Sequence, residues 1–191
     1  GPKLSRDPIA VIWGPQPNDY IEQVAGALKK GGGDINGDGR DDVVMASLYW
    51  DKAGASNAGG FGVAYGQPRV ANKIAVICQP AYTYIGGKAN DYVGRSATMI
   101  GDLDGDKCAE FAIGADAEDL GISNQGSVRV VFGWGAKCKS KTPREVVLLS
   151  KADNARAGYA LDAGGDVDGD GLNDLVVGGF NAANNGVRVG A

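Results

Sequence analysis

Three acidic loops with a single internal spacing constrain this chain more than any other feature. They read Asp34-Ile35-Asn36-Gly37-Asp38-Gly39-Arg40-Asp41-Asp42, Asp102-Leu103-Asp104-Gly105-Asp106-Lys107-Cys108-Ala109-Glu110 and Asp166-Val167-Asp168-Gly169-Asp170-Gly171-Leu172-Asn173-Asp174. Their first positions lie 68 and 64 residues apart, so the chain is built on an internal repeat. Each copy places oxygen-bearing side chains at positions 1, 3, 5 and 9 around a tight turn. That is how a chain wraps a hard cation such as Ca²⁺.

Each loop is followed by a short apolar run: Val43 to Ala46, Phe111 to Gly114 and Leu175 to Gly178. Runs of this length bounded by turn signals fit buried strands better than helices. A second strand opens at a glycine in each repeat, over 60–66, 126–133 and 186–190. Further strands are expected at 73–78 and 145–150, and just before each loop at 24–28, 94–100 and 158–163. Four antiparallel strands per repeat of this length is the unit of a β-propeller blade. The chain is therefore expected to be all-β, with about three blades: 24–78, 94–150 and 158–191, the last with three strands. Residues 9–13 repeat the pattern of 74–78 and are expected as the outer strand of a preceding or closing blade.

The remaining composition agrees. Of 191 residues 32 are glycine and 43% are hydrophobic, without a collagen period, as a β-rich chain with many turns requires. Eleven of the 23 acidic residues sit at the loop positions, so the net charge of −4 is concentrated there. No Lys/Arg run points to nucleic acid, and no apolar run is long enough to span a membrane. The chain contains no histidine, which removes the commonest general base and every His-containing triad. No Gly-x-Ser-x-Gly elbow and no unexplained carboxylate pair supports an enzyme. Glu118 and Asp119 are merely sequence neighbours. An EF-hand would need a Glu at position 12, where Met45, Ile113 and Val177 stand.

The acidic loop, the strand ending in a small pair (Gly114-Ala115) and the following Gly-x-Val-x-Val resemble the FG-GAP repeats of integrin α-subunit propellers. Tyr92-Val93-Gly94-Arg95-Ser96 and Ala157-Gly158-Tyr159 stand near the Phe-Gly position of that motif. The resemblance implies Ca²⁺ in three turns between the first and second strands of a blade. By carry-over the side-chain ligands are Asp34, Asn36, Asp38 and Asp42, then Asp102, Asp104, Asp106 and Glu110, then Asp166, Asp168, Asp170 and Asp174. Arg40, Cys108 and Leu172 at position 7 would offer backbone carbonyls. Glycines at positions 4 and 6 permit a tight cage, and Lys107 in place of the second glycine is expected to be strained.

In a four-stranded blade the first–second and third–fourth connections share a face. Cys108 and Cys138 occupy these two connections of one blade and are a candidate disulfide, which would suit an oxidising compartment. Three free thiols, Cys78 included, are the alternative. The opposite face offers Tyr49, Trp50, Tyr82, Tyr84, Glu118 and Asp119 as candidate partner contacts, although loop aromatics also fold back onto neighbouring blades.

The expected function is an extracellular or cell-surface, Ca²⁺-stabilised module for adhesion, protein or glycan binding, or structural assembly. The alternative is a non-catalytic portion of a larger secreted enzyme. Three blades are fewer than an ordinary ring holds. Further propeller blades, of the same or another chain, are accordingly expected as partners.

Overall fold

The computed structural model describes residues 10–12, 20–26, 32–68, 75–77, 80–181, 183–184 and 187–188. Among these there is no helix. The strands are β1 (Ala10–Ile12), β2 (Gln23–Gly26), β3 (Val43–Ser47), β4 (Gly60–Ala64), β5 (Ala75–Ile77), β6 (Tyr82–Ile85) and β7 (Val93–Gly101). They continue as β8 (Glu110–Ala115), β9 (Ser127–Phe132), β10 (Arg144–Leu149), β11 (Ala157–Gly165), β12 (Asp174–Gly179), β13 (Ala183–Asn184) and β14 (Val187–Arg188).

Two complete antiparallel sheets of four strands result, in the orders β2-β3-β4-β6 and β7-β8-β9-β10. A third begins with β11 paired to β12. The sheets stack face to face: β7 packs on β2 and β3, and β11 packs on β7 and β8. Four-stranded antiparallel sheets stacked in this way are propeller blades.

Strand alternation explains why the central runs are apolar throughout. Val44, Ala46, Phe61, Val63, Phe111, Ile113 and Val131 fill one core between the first two sheets, capped by Trp134 and Ile35. Their neighbours on the same strands, Ala112, Val128 and Val130, turn the other way with Ile100, onto Leu161, Leu175 and Val177. Met45 and Ala64 likewise face outward from the first sheet, against Trp50 and Ile21. A strand buried on both faces cannot keep a polar side.

The fourth place in the first sheet differs from the expectation. It is held by Tyr82–Ile85, whereas Ala75–Ile77 pairs in parallel with Ala10–Ile12. The reason is packing: Tyr82 and Tyr84 recur every second residue and both lie against Phe61, with ring centroids 6.0 and 5.3 Å away. The Ala-Val-Ile runs of β1 and β5 then satisfy each other's backbone groups. At the far end, Val187–Arg188 pairs with Ala183–Asn184 instead of lying beside β12. Of the expected strands, residues 9, 13, 27, 28, 73, 74, 78, 186, 189 and 190 fall outside the described residues, Cys78 among them.

A clasp not anticipated from sequence joins consecutive blades. The N–H of Val93 donates to the Ala58 carbonyl and that of Tyr92 to Asn57; one repeat later Ala157 donates to Gln125 and Arg156 to Asn124. Asn57 Nδ2 donates to Asn90 Oδ1, and Asn124 Nδ2 to Asn154 Oδ1, each at 3.1 Å. All four asparagines have positive φ, which Asn tolerates better than other residues with a Cβ. Its signal was present as Ser-Asn at 56–57 and 123–124, and as Asn at 90 and 154.

Candidate metal centres

Each acidic loop connects the first strand of a sheet to the second, and the three share one internal scaffold. Position 1 accepts backbone N–H groups across the turn: Asp34 from Asp38 and Gly39, Asp102 from Gly105, Asp106 and Lys107, and Asp166 from Gly169 and Gly171. Position 5 accepts the N–H of position 7 at 2.8–2.9 Å in every copy: Asp38 from Arg40, Asp106 from Cys108, Asp170 from Leu172. Position 9 reaches back to position 2, Asp42 to Ile35, Glu110 to Leu103 and Asp174 to Val167.

These bonds need positive φ at positions 4 and 6. Gly37 and Gly39 stand at +71° and +92°, and Gly169 and Gly171 at +83° and +92°. In the middle loop Gly105 is at +77°, and Lys107 is held at +71°, a region that costs a side-chain-bearing residue about 1–2 kcal/mol.

In the second and third loops the carboxylates at positions 1, 3 and 9 converge. Carboxylate oxygens of Asp102, Asp104 and Glu110 lie within 4.8 Å of one another, and so do those of Asp166, Asp168 and Asp174. In the first loop an amide, Asn36, takes the position-3 place.

Burial makes this arrangement costly without a cation. Asp42 and Glu110 are almost fully buried, and burial pushes their carboxyls up to about 6 and about 7. Backbone N–H groups of Gly66 and Gly133 respectively offset part of that rise, while the charges of Asp34, and of Asp104 and Asp106, add to it. Asp104 Oδ1 is buried and accepts no hydrogen bond. Hard oxygen donors and converging carboxylates both fit a hard divalent cation. The ion would neutralise the clustered charge and brace the turn; the chain's own backbone already holds the ligands in place for it.

The first and second centres touch. Asp34 O accepts the N–H of Ala109 at 2.8 Å, and Ile35 O that of Trp134 at 3.0 Å. A disulfide joins Cys108 to Cys138, as expected, with Cα atoms 5.7 Å apart. Its sulfurs lie against Gly37, where an added Cβ would be 3.1 Å from Cys108 Sγ. Lys139, absent from the expected site, follows the disulfide directly and sits on Asp104 and Asp106.

The six candidate contact residues on the opposite face divide. Trp50 is fully buried and donates its indole N–H to the Tyr20 carbonyl at 3.0 Å, while Tyr49 is exposed. Tyr82 and Tyr84 are strand residues packed on Phe61. Glu118 is buried and accepts bonds from Ser127 Oγ and the Arg129 guanidinium. Asp119 is exposed, its carboxylate accepting the N–H of Asn124 and its carbonyl the ammonium of Lys88. Of the six, Tyr49 and Asp119 present substantial side-chain surface to solvent.

Comparison with known proteins gives the same reading. The FG-GAP repeat model matches residues 94–131, which run from the start of β7 through the middle acidic loop into β9. Human integrin alpha-IIb is 29% identical over 152 residues, covering 78% of this chain and 14% of that protein. Integrin alpha pat-2 of Caenorhabditis briggsae is 30% identical over 161 residues, 79% of this chain and 13% of the relative. Integrin alpha ina-1 of Caenorhabditis elegans is 28% identical over 158 residues, 76% of this chain and 14% of the relative. The chain thus spans about one seventh of the length of these relatives. With stacked four-stranded blades and three acidic loops in register, the chain is an integrin-alpha-like FG-GAP region.

Proposed function

We propose that this chain is an extracellular, Ca²⁺-braced propeller module with an adhesive or assembly role, binding a protein or glycan partner. The observation that carries the metal part is the burial of Asp42 and Glu110 in acidic loops closed by their own side-chain to backbone bonds. Such groups stabilise a fold when a cation neutralises them and burden it otherwise. The twelve side-chain positions named from sequence are the proposed ligands, with the carbonyls of Arg40, Cys108 and Leu172. The role of the ions is structural, and no residue is assigned a catalytic part.

Assembly with further blades rests on strand alternation. Ala25 faces the core, so Val24 beside it points away from the second sheet and is 68% exposed. In β12 Leu175 and Val177 face inward, leaving Val176 outward and 52% exposed. Both outward faces of the stack thus carry apolar side chains of the kind that the inner faces bury, and further blades of the same or another chain would cover them.

The test is thermal unfolding with Ca²⁺ and with EDTA. Each site at a hundredfold excess of ion over Kd contributes about 2.7 kcal/mol, so chelation lowers Tm by several degrees. An unchanged Tm removes the metal reading.

A further inference from the structure

The turn between β9 and β10 folds over the middle acidic loop and brings two cationic groups to it. Cys138 is bonded to Cys108 at loop position 7. The next residue, Lys139, donates its backbone N–H to Asp106 Oδ2 at 2.6 Å and its ammonium to the Asp104 carbonyl. The ammonium also lies 3.1 Å from Asp104 Oδ1, the buried oxygen that accepts no hydrogen bond, so the attraction there is charge alone. Arg144 stands 3.7 Å from the other oxygen of the same carboxylate.

The other two loops lack this arrangement. In the first, the ion pair joins Arg40 to Asp38, both within the loop and open to solvent. In the third, no ion pair occurs among the described residues. A free surface lysine would lose much of such a contact to side-chain entropy. Lys139 is different because the disulfide and its own N–H fix its backbone beside the cage.

We propose that Lys139 is a tethered counter-ion of the middle loop, competing with a divalent cation at Asp104 and weakening Ca²⁺ binding at that loop relative to what its four carboxylates would give. The proposal rests on the calcium reading of the loops. A unit charge a few ångströms from a dication, largely exposed and screened by salt, shifts the affinity by about three- to tenfold.

The test is a Ca²⁺ titration of the whole 191-residue chain followed by amide NMR, with Gly105 reporting on the middle loop and Gly37 and Gly169 on the others. Lys139→Met lowers the Gly105 midpoint about three- to tenfold and leaves Gly37 and Gly169 unmoved. Lys139→Arg keeps the wild-type midpoint. In EDTA the Met variant has a lower Tm than the wild type, and saturating Ca²⁺ removes that difference. Should the Met variant fail to fold, Lys139→Gln is read in the same way. An unmoved Gly105 midpoint, or an equal shift at all three loops, overturns the proposal while leaving the calcium reading intact. No response to Ca²⁺ at any of the three glycines overturns both.

Discussion

The carbonyl oxygen of Asp34 accepts the backbone N–H of Ala109 at 2.8 Å, although 75 residues separate them. The first residue of one acidic loop is thereby bonded to the backbone between positions 7 and 9 of the next. The Cys108–Cys138 disulfide lies in the same contact, against Gly37. Two neighbouring cages and one covalent staple therefore form a continuous unit.

The staple closes a segment with a sequence separation of 30, for which chain entropy predicts about 3.5 kcal/mol. The Cys108→Ser/Cys138→Ser protein is expected to lose about 2–4 kcal/mol in urea unfolding. Reduction of the wild type lowers its midpoint similarly. A double variant as stable as the parent contradicts this account.

The asparagine clasp separates two costs. Asn57→Gly keeps the positive φ and loses the Asn90 bond, costing about 0.5–1 kcal/mol. Asn57→Ala adds the strain of the left-handed region, about 1–2 kcal/mol more. Denaturant midpoints should rank wild type, Gly, then Ala, and the same order should hold at Asn124.

Glycines at the blade junctions are expected to be far less replaceable than those at loop tips. A Cβ on Gly59 would lie 2.1 Å from the Val93 carbonyl oxygen, and one on Gly126 would lie 2.3 Å from that of Ala157. Neither backbone can retreat, because each strand is bonded to the loop that carries the glycine. Gly59→Ala and Gly126→Ala should each cost about 3 kcal/mol or more. Gly54 has a similar φ of +81° but open space around it, so Gly54→Ala should cost only about 1 kcal/mol. Equal losses at Gly54 and Gly59 would show that φ, not the clash, dominates.

In the chelated protein, stability should fall as pH rises toward neutrality. Asp42 moves from 3.8 to about 6 and Glu110 from 4.5 to about 7, chiefly through burial. The folded state therefore holds protons that the unfolded state has released. Their contribution is full below the unfolded values and is lost as pH passes through about 6 and 7. Calcium requires both carboxylates ionised, so saturating Ca²⁺ should reverse the slope in this window. Urea midpoints across pH, with EDTA and with Ca²⁺, test both signs; a flat EDTA profile contradicts the burial argument.

Much of the architecture was legible because its determinants are local. The ligand spacing, the glycines at positions 4 and 6, and the apolar runs after each loop all act within a few residues. The loops accordingly close through side-chain to backbone bonds that span no more than seven residues. The Cys108–Cys138 pairing was also within reach, since strand order alone puts those two connections on one face.

What sequence reading placed differently depends on partners distant in the chain. Residues 73–78 and 82–85 are both credible strands, and only Phe61, more than 20 residues earlier, favours Tyr82 and Tyr84 beside it. Trp50 looked like a contact residue until folding carried it under Tyr20.

By itself, then, the sequence determined the repeat, the β class and the loop chemistry, since turn geometry and strand alternation are short-range properties. The tertiary structure decided which strand takes the fourth place, which aromatics are buried, and that Lys139 and Ala109 come to rest on acidic loops. Those outcomes come from packing and hydrogen bonding between segments about 20 to 75 residues apart, where no local pattern records the partner.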